Sequence, residues 1–124
     1  MRDLRDKANL ALGYLWLQLG RDSEARPVLA RVRLNGPFSA KALLGAGWAD
    51  AATQDYRAAL TPWLELRERD LLDSAVQESL LAIPYAWARL DAHGEAAAGY
   101  QAALAAYDVE IGRLDAAIAG SRSG

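Results

Sequence analysis

His93 is the one histidine in the chain, and Asp91 and Glu95 stand two residues to either side of it. A histidine between carboxylates can hold a metal or move a proton, but either task needs further groups converging from elsewhere. The stretch "DAHG" around it reads instead as a turn. Ser74 would act as a nucleophile only beside a base, and no histidine lies in register with it. "LLGAGWAD" contains Gly-Ala-Gly, yet inside a helical pattern rather than between strand and helix, so it is no dinucleotide loop. Asp50 and Asp55 flank a turn and read as caps or solvated residues. There is no cysteine, which excludes disulfides, a thiol nucleophile and a zinc knuckle. These residues give no reason to expect an enzyme, a metal or a cofactor.

Arg31, Arg33, Arg67 and Arg69 form a cationic group near two helix ends. Read for chemistry, they are a patch for nucleic acid or anionic lipid. Glu65, Glu68 and Asp70 are interleaved with them, and the chain carries a net charge of −2 with a pI near 5.3. That balance argues against binding driven by counterion release. The plainer reading is that cations complement the helix dipole and lie over apolar surface, so no nucleic-acid partner is expected. The apolar stretch Ala8–Leu19 is too short to span a bilayer and is interrupted by Asn9 and Gln18. It also lacks a small-residue cleavage site and so does not read as a signal peptide; the absence of cysteine fits cytoplasm and periplasm alike. Arginine outnumbers lysine twelve to two and alanine is abundant, as in chains from GC-rich bacteria.

The elements that must carry these residues are all helical. Apolar residues at 10, 12, 14–17 and 19 cover most of a helix surface, and Gly20 stops that helix. Asp22 or Ser23 can cap a second helix that runs to about Leu34 and ends at "NGP". Ser39 can cap a third, through about Ala52; a fourth follows the "TQD" turn and reaches about Arg69. Ser74 with Gln77 forms a plausible capping box for a fifth, to Leu90, and a sixth starts near Glu95. With 124 residues, 52% of them hydrophobic, the chain has the size and composition of one packed domain. The hairpins fall at about 3–35, 39–69 and 74–104.

The hairpins repeat. Gly13 and Gly47 are 34 residues apart, as are Ala25 and Ala59, Leu29 and Trp63, and Val32 and Leu66. In the third unit the spacing is 37, from Gly47 to Pro84, Ala59 to Ala96 and Trp63 to Tyr100. A period near 34 in helix-turn-helix units is the mark of a helical solenoid. Glycine inside a helix costs about 1 kcal/mol relative to alanine. The expectation is that the second arm of each hairpin packs closely there, with Ala25, Ala59 and Ala96 opposite.

In these residues the chain resembles the tetratricopeptide-repeat (TPR) family. Leu12-Gly13, Trp16, Gly20, Ala25, Leu29, Val32 and Pro37 fall at the family's spacings. So do Gly47, Tyr56, Ala59, Trp63 and Leu66, and then Leu80, Trp87, Ala96, Tyr100 and Ala103. The resemblance covers residues 6–104 and implies a right-handed solenoid of three hairpins with a concave groove. Departures are Pro84 in place of a small residue, Asp50 in place of a large aromatic, and Pro27 and Pro62 inside second arms. The Lys–Asn clamp by which some members hold chaperone tails is absent. Lys7 could begin one, but its other places carry Ala11, Gly45, Glu78 and Ala82.

The resemblance makes the first arms line the groove. The residues there are Lys7, Leu10, Tyr14 and Gln18, then Lys41, Leu44 and Trp48, then Glu78, Leu81, Tyr85 and Arg89. Tyr14, Trp48 and Tyr85 occupy equivalent places and suggest an aromatic column for a peptide or helix. Alternatively each ring packs on the neighbouring first arm. The function expected is a non-enzymatic protein-interaction scaffold; the alternative is a structural segment of a larger bacterial solenoid. After Leu104 the pattern becomes a single stripe, Tyr100, Leu104, Tyr107, Ile111, Leu114 and Ile118. It predicts that the sixth helix extends over 105–119, followed by a frayed tail at 120–124. The stripe is expected to cover the solenoid's end; otherwise Tyr107, Ile111, Leu114 and Ile118 would pair with a second copy in a homodimer.

Overall fold

The computed structural model describes residues 1–123. Six helices follow in order: α1 (Arg2–Gln18), α2 (Asp22–Leu29), α3 (Ser39–Ala52), α4 (Tyr56–Leu66), α5 (Ser74–Arg89) and α6 (His93–Ser123). No strand occurs among the described residues. Helices α1/α2, α3/α4 and α5/α6 pair as hairpins. Each later hairpin packs on the one before it, α3 against α1 and α2, α5 against α3 and α4. Among the described residues α1 touches neither α5 nor α6, so the array is an open stack and not a closed bundle.

The same turn joins the arms of every hairpin. Arg21, Asp55 and Ala92 each donate a backbone N–H to the carbonyl five residues back, on Trp16, Asp50 and Trp87, at 2.8–2.9 Å. Gly20, Gln54 and Asp91, one residue earlier, carry φ of 75°, 65° and 62°. This is a helix end closed by a left-handed residue. Only the first of the three is glycine, so only the first was legible from residue type.

The second arm does pack closely on Gly13 and Gly47, through larger side chains than the alanines named from the sequence. A Cβ on Gly13 would lie 2.3 Å from Leu29 Cδ2, and one on Gly47 would lie 2.1 Å from Trp63 Nε1. The close partners are therefore Leu29 and Trp63, one helical turn beyond Ala25 and Ala59. In the third hairpin the roles exchange. Pro84 fills the first arm, and Gly99 sits on the second, where a Cβ would meet Pro84 Cβ at 2.9 Å. Trp63 is fully buried and its indole N–H donates to Leu44 O at 3.1 Å, which satisfies the one polar atom the ring brings inside.

Several boundaries differ from the sequence reading. Helix α2 ends at Leu29 and not near Leu34, and α4 at Leu66 and not Arg69. In both, the next turn tightens to bonds spanning three residues, Val32 N to Leu29 O and Arg69 N to Leu66 O. Asp73, not Ser74, caps α5, accepting from Ala75 N at 2.8 Å, while Gln77 Nε2 reaches back to Leu71 O. Ser39 lies inside α3 and accepts from Arg69 instead of capping. Neither Asp22 nor Ser23 caps α2, which follows Arg21. Asp55 does cap α4, accepting from Ala58 N at 3.1 Å.

The C-terminal helix corrects two expectations. It continues to Ser123 through the stretch 120–123 expected to fray, with no proline to stop it; position 124 lies outside the described residues. Nor does it fold back over the end of the array. Among the described residues α6 packs on α5 alone, and Ile111, Leu114 and Ile118 are half exposed or more. The helix simply runs past the N-terminus of α5.

Candidate groove

The first arms α1, α3 and α5 lie side by side and bound a cleft of about 790 Å³. Lys7, Leu10 and Tyr14 come to it from α1, Lys41 and Leu44 from α3, Glu78 from α5. Six of the eleven groove residues expected from the sequence thus border one space, because positions 34 and 37 residues apart repeat along equivalent helix faces. Ala11, Phe38, Ser74 and Ala75 also line it. Phe38 is the chain's one phenylalanine, and its place just before α3 was the available signal.

The remaining five lie elsewhere. Gln18 and Trp48 border a second cleft of about 550 Å³ with Tyr14, Leu17, Asp22 and Ala52. Leu81 borders a third of about 480 Å³ with Glu78, Tyr107 and Ile111. Tyr14 is common to the first two clefts and Glu78 to the first and third, so the three form one concave surface. Tyr85 packs at 6.2 Å from Trp48 and 6.0 Å from Tyr56. Arg89 stacks on the Tyr56 ring, 5.2 Å from its centroid.

The aromatic column is only partly a free surface. Trp48 meets Trp63 edge-on at 4.8 Å and joins the core between hairpins two and three. Tyr14 packs in the core between hairpins one and two, and its hydroxyl donates to Lys41 O at 2.7 Å. Burial first, and the nearby Glu78 carboxylate second, push its pKa from 10.0 up to about 12. Leu44 is buried and forms the floor. Lys7, Lys41 and Glu78 are exposed at the rim.

The ion pairs that hold this frame joined residues far apart in sequence and were not legible in it. Asp6, almost wholly buried, accepts from Arg33 Nε at 2.7 Å and from its backbone N at 3.4 Å. Arg33 also reaches Asp3 at 2.5 Å. These contacts, the Asp6 hydrogen bond first, raise the Arg33 pKa. Asp50 accepts from Arg26 Nε at 3.1 and 3.2 Å, which ties α2 to α3 and explains an acid at this place. Burial nonetheless lifts the Asp50 pKa above its usual value, outweighing Arg26. Of the cationic group, Arg33 and Arg69 serve the fold, Arg69 by donating to Ser39 and Leu34 O. Asp91 lies 3.9 Å from the His93 ring, both exposed, and no cluster of three metal-binding side chains occurs among the described residues. No helix there is long and apolar enough to cross a membrane.

An open stack of helix hairpins whose first arms share a groove defines a helical-repeat protein. More particularly, the fold is that of a tetratricopeptide-repeat domain. The crystal structure of the TPR domain of Arabidopsis FLU superimposes with a TM-score of 0.77, over 88% of this chain and 99% of that one, at 20% identity. No family model matches the sequence, and no curated protein matches it.

Proposed function

We propose that the chain is a protein-interaction scaffold that docks a helix or extended peptide of a partner on its concave face. The observation that carries this reading is the 790 Å³ cleft, which takes side chains from three separate helices. Its floor is apolar, with Leu10, Leu44 and Ala75, and its rim carries Lys7 and Lys41 on two arms and Glu78 on the third. An amphipathic segment fits such a surface when its apolar face meets the floor and an acidic residue meets the lysine pair. The likeness to a TPR domain supports an interaction role in general.

The test is selection of amphipathic peptides from a display library, followed by mapping amide shifts on the labelled chain. Shifts concentrated on α1, α3 and α5, and affinity reduced about tenfold or more by the exposed Lys41→Glu change, support the reading. Shifts on α2 and α4 refute it. A second reading, a segment of a larger solenoid assembly, is favoured by one observation: the outer face of α1 leaves Leu4, Leu15 and Leu19 about half exposed or more.

A further inference from the structure

Helix α3 meets the first hairpin through a strip of small residues. Gly45 approaches Leu29 and Tyr14, and Ala46 and Ala49 are buried against the same cluster. Helix α5 repeats the strip 37 residues on with Ala82, Ile83 and Ala86, all buried. Thirty-four residues earlier, α1 carries the same strip as Ala11, Leu12 and Leu15. There it is exposed, with nothing packed against it among the described residues. The opposite end shows the complementary face. Leu29, which receives Gly45, becomes Trp63 in the second hairpin and Tyr100 in the third, where it is 39% exposed. Leu104 and Ile111 continue that line along α6, also exposed.

We propose that a second copy of this chain stacks head to tail on the first, its α1 lying against α5 and α6 as α3 lies against α1 and α2. The interface continues one that the chain already forms twice internally. The repeat fixes its register. By equivalence with Leu29 and Gly45, Tyr100 lies over Ala11 of the partner subunit. By equivalence with Tyr14 and Lys41, the partly exposed Tyr85 ring lies beside Lys7 of the partner subunit. Charge agrees with this arrangement. Asp3 and Asp6 are engaged by Arg33, leaving Arg2 and Arg5 of α1 in no ion pair among the described residues. Asp108 and Asp115, in no ion pair there either, flank the exposed line of α6. Such a contact uses different surfaces on the two copies, so it propagates instead of closing as a two-fold dimer.

The experiment is light scattering on the whole chain over a concentration series, with Leu15→Arg as a head variant and Leu104→Arg as a tail variant. Both sites are exposed, and circular dichroism checks that each variant folds. The wild type is expected to pass twice the 13.4 kDa chain mass. Each variant alone stays monomeric, and an equimolar mixture forms a one-to-one complex, because each supplies the face the other lacks. A wild type that stays monomeric overturns the proposal. So does a fixed dimer that survives Leu15→Arg but dissolves with Leu114→Arg, since that is pairing of the overhanging α6 arms. Leu15 and Leu104 lie outside the lining of the 790 Å³ cleft, so peptide binding measured on the monomeric variants is read apart from stacking.

Discussion

Replacing Gly47 by alanine improves helix propensity by about 1 kcal/mol, yet the packing predicts a loss. The added Cβ would stand 2.1 Å from Trp63 Nε1, 2.3 Å from Cε2 and 2.6 Å from Cδ1. These atoms cannot yield as the end of a flexible chain can, because the ring is rigid, fully buried and held edge-on by Trp48 at 4.8 Å. Overpacking of this kind costs about 1–3 kcal/mol. Moving the indole also strains its hydrogen bond to Leu44 O, and an orphaned buried donor costs about 1–3 kcal/mol more. Set against the propensity gain, Gly47→Ala is expected to lose about 1–5 kcal/mol, a large share of the roughly 5–15 kcal/mol typical of a domain. Gly13→Ala should lose less, since the new methyl meets Leu29 Cδ2 and Cγ, and a leucine side chain can turn away without giving up a hydrogen bond as the Trp63 indole must. Gly112→Ala is the control: nothing lies within 4 Å of its Cβ, so stability should rise by about 1 kcal/mol. Urea titration followed by circular dichroism measures all three. A Gly47→Ala protein as stable as the wild type would refute the close approach of the two arms.

Two further outcomes follow from the turns and the groove. Gln54→Gly should stabilise the chain by about 0.5–1 kcal/mol in the same titration, because it relieves a side chain held at φ 65°; a loss would show that the side chain has another role. Tyr14 stays neutral in the folded chain up to about pH 12 but ionises near 10.0 when unfolded. The folded state therefore holds the extra proton across that window, and stability falls as pH rises through it. Comparing urea midpoints across this range, Tyr14→Phe should flatten the fall by about 1 kcal/mol after allowance for the ring's partial exposure; an unchanged slope would place the ring in water.

What could be read from residue order was whatever repeats. Six helices, the 34- and 37-residue offsets and the TPR-like fold were visible because small and large residues alternate at fixed places, and that pattern also brought Lys7, Lys41 and Glu78 to one cleft. Other features were not visible, for physical reasons. Gln54 and Asp91 adopt a glycine's conformation because the hairpin imposes it, not because their side chains ask for it. The atoms nearest Gly13 and Gly47 belong to Leu29 and Trp63, one turn beyond Ala25 and Ala59, since a small residue invites contact without saying which neighbour arrives first. The Asp6–Arg33 and Arg26–Asp50 pairs join residues 24–27 apart, which no local periodicity reports. The apolar stripe of α6 signalled a surface to be covered, but whether the chain folds back to cover it depends on length and loops that hydrophobicity does not encode.

The most direct measurement of the stacked-hairpin account is a pair of proton contacts in the labelled protein. Strong cross-peaks from the Trp63 indole N–H to the Gly47 α-protons, and from the Tyr14 ring to those of Gly45, are the predicted result; the first reports two arms touching and the second one hairpin resting on the last. An indole proton that exchanges freely with water and shows neither contact would contradict the account.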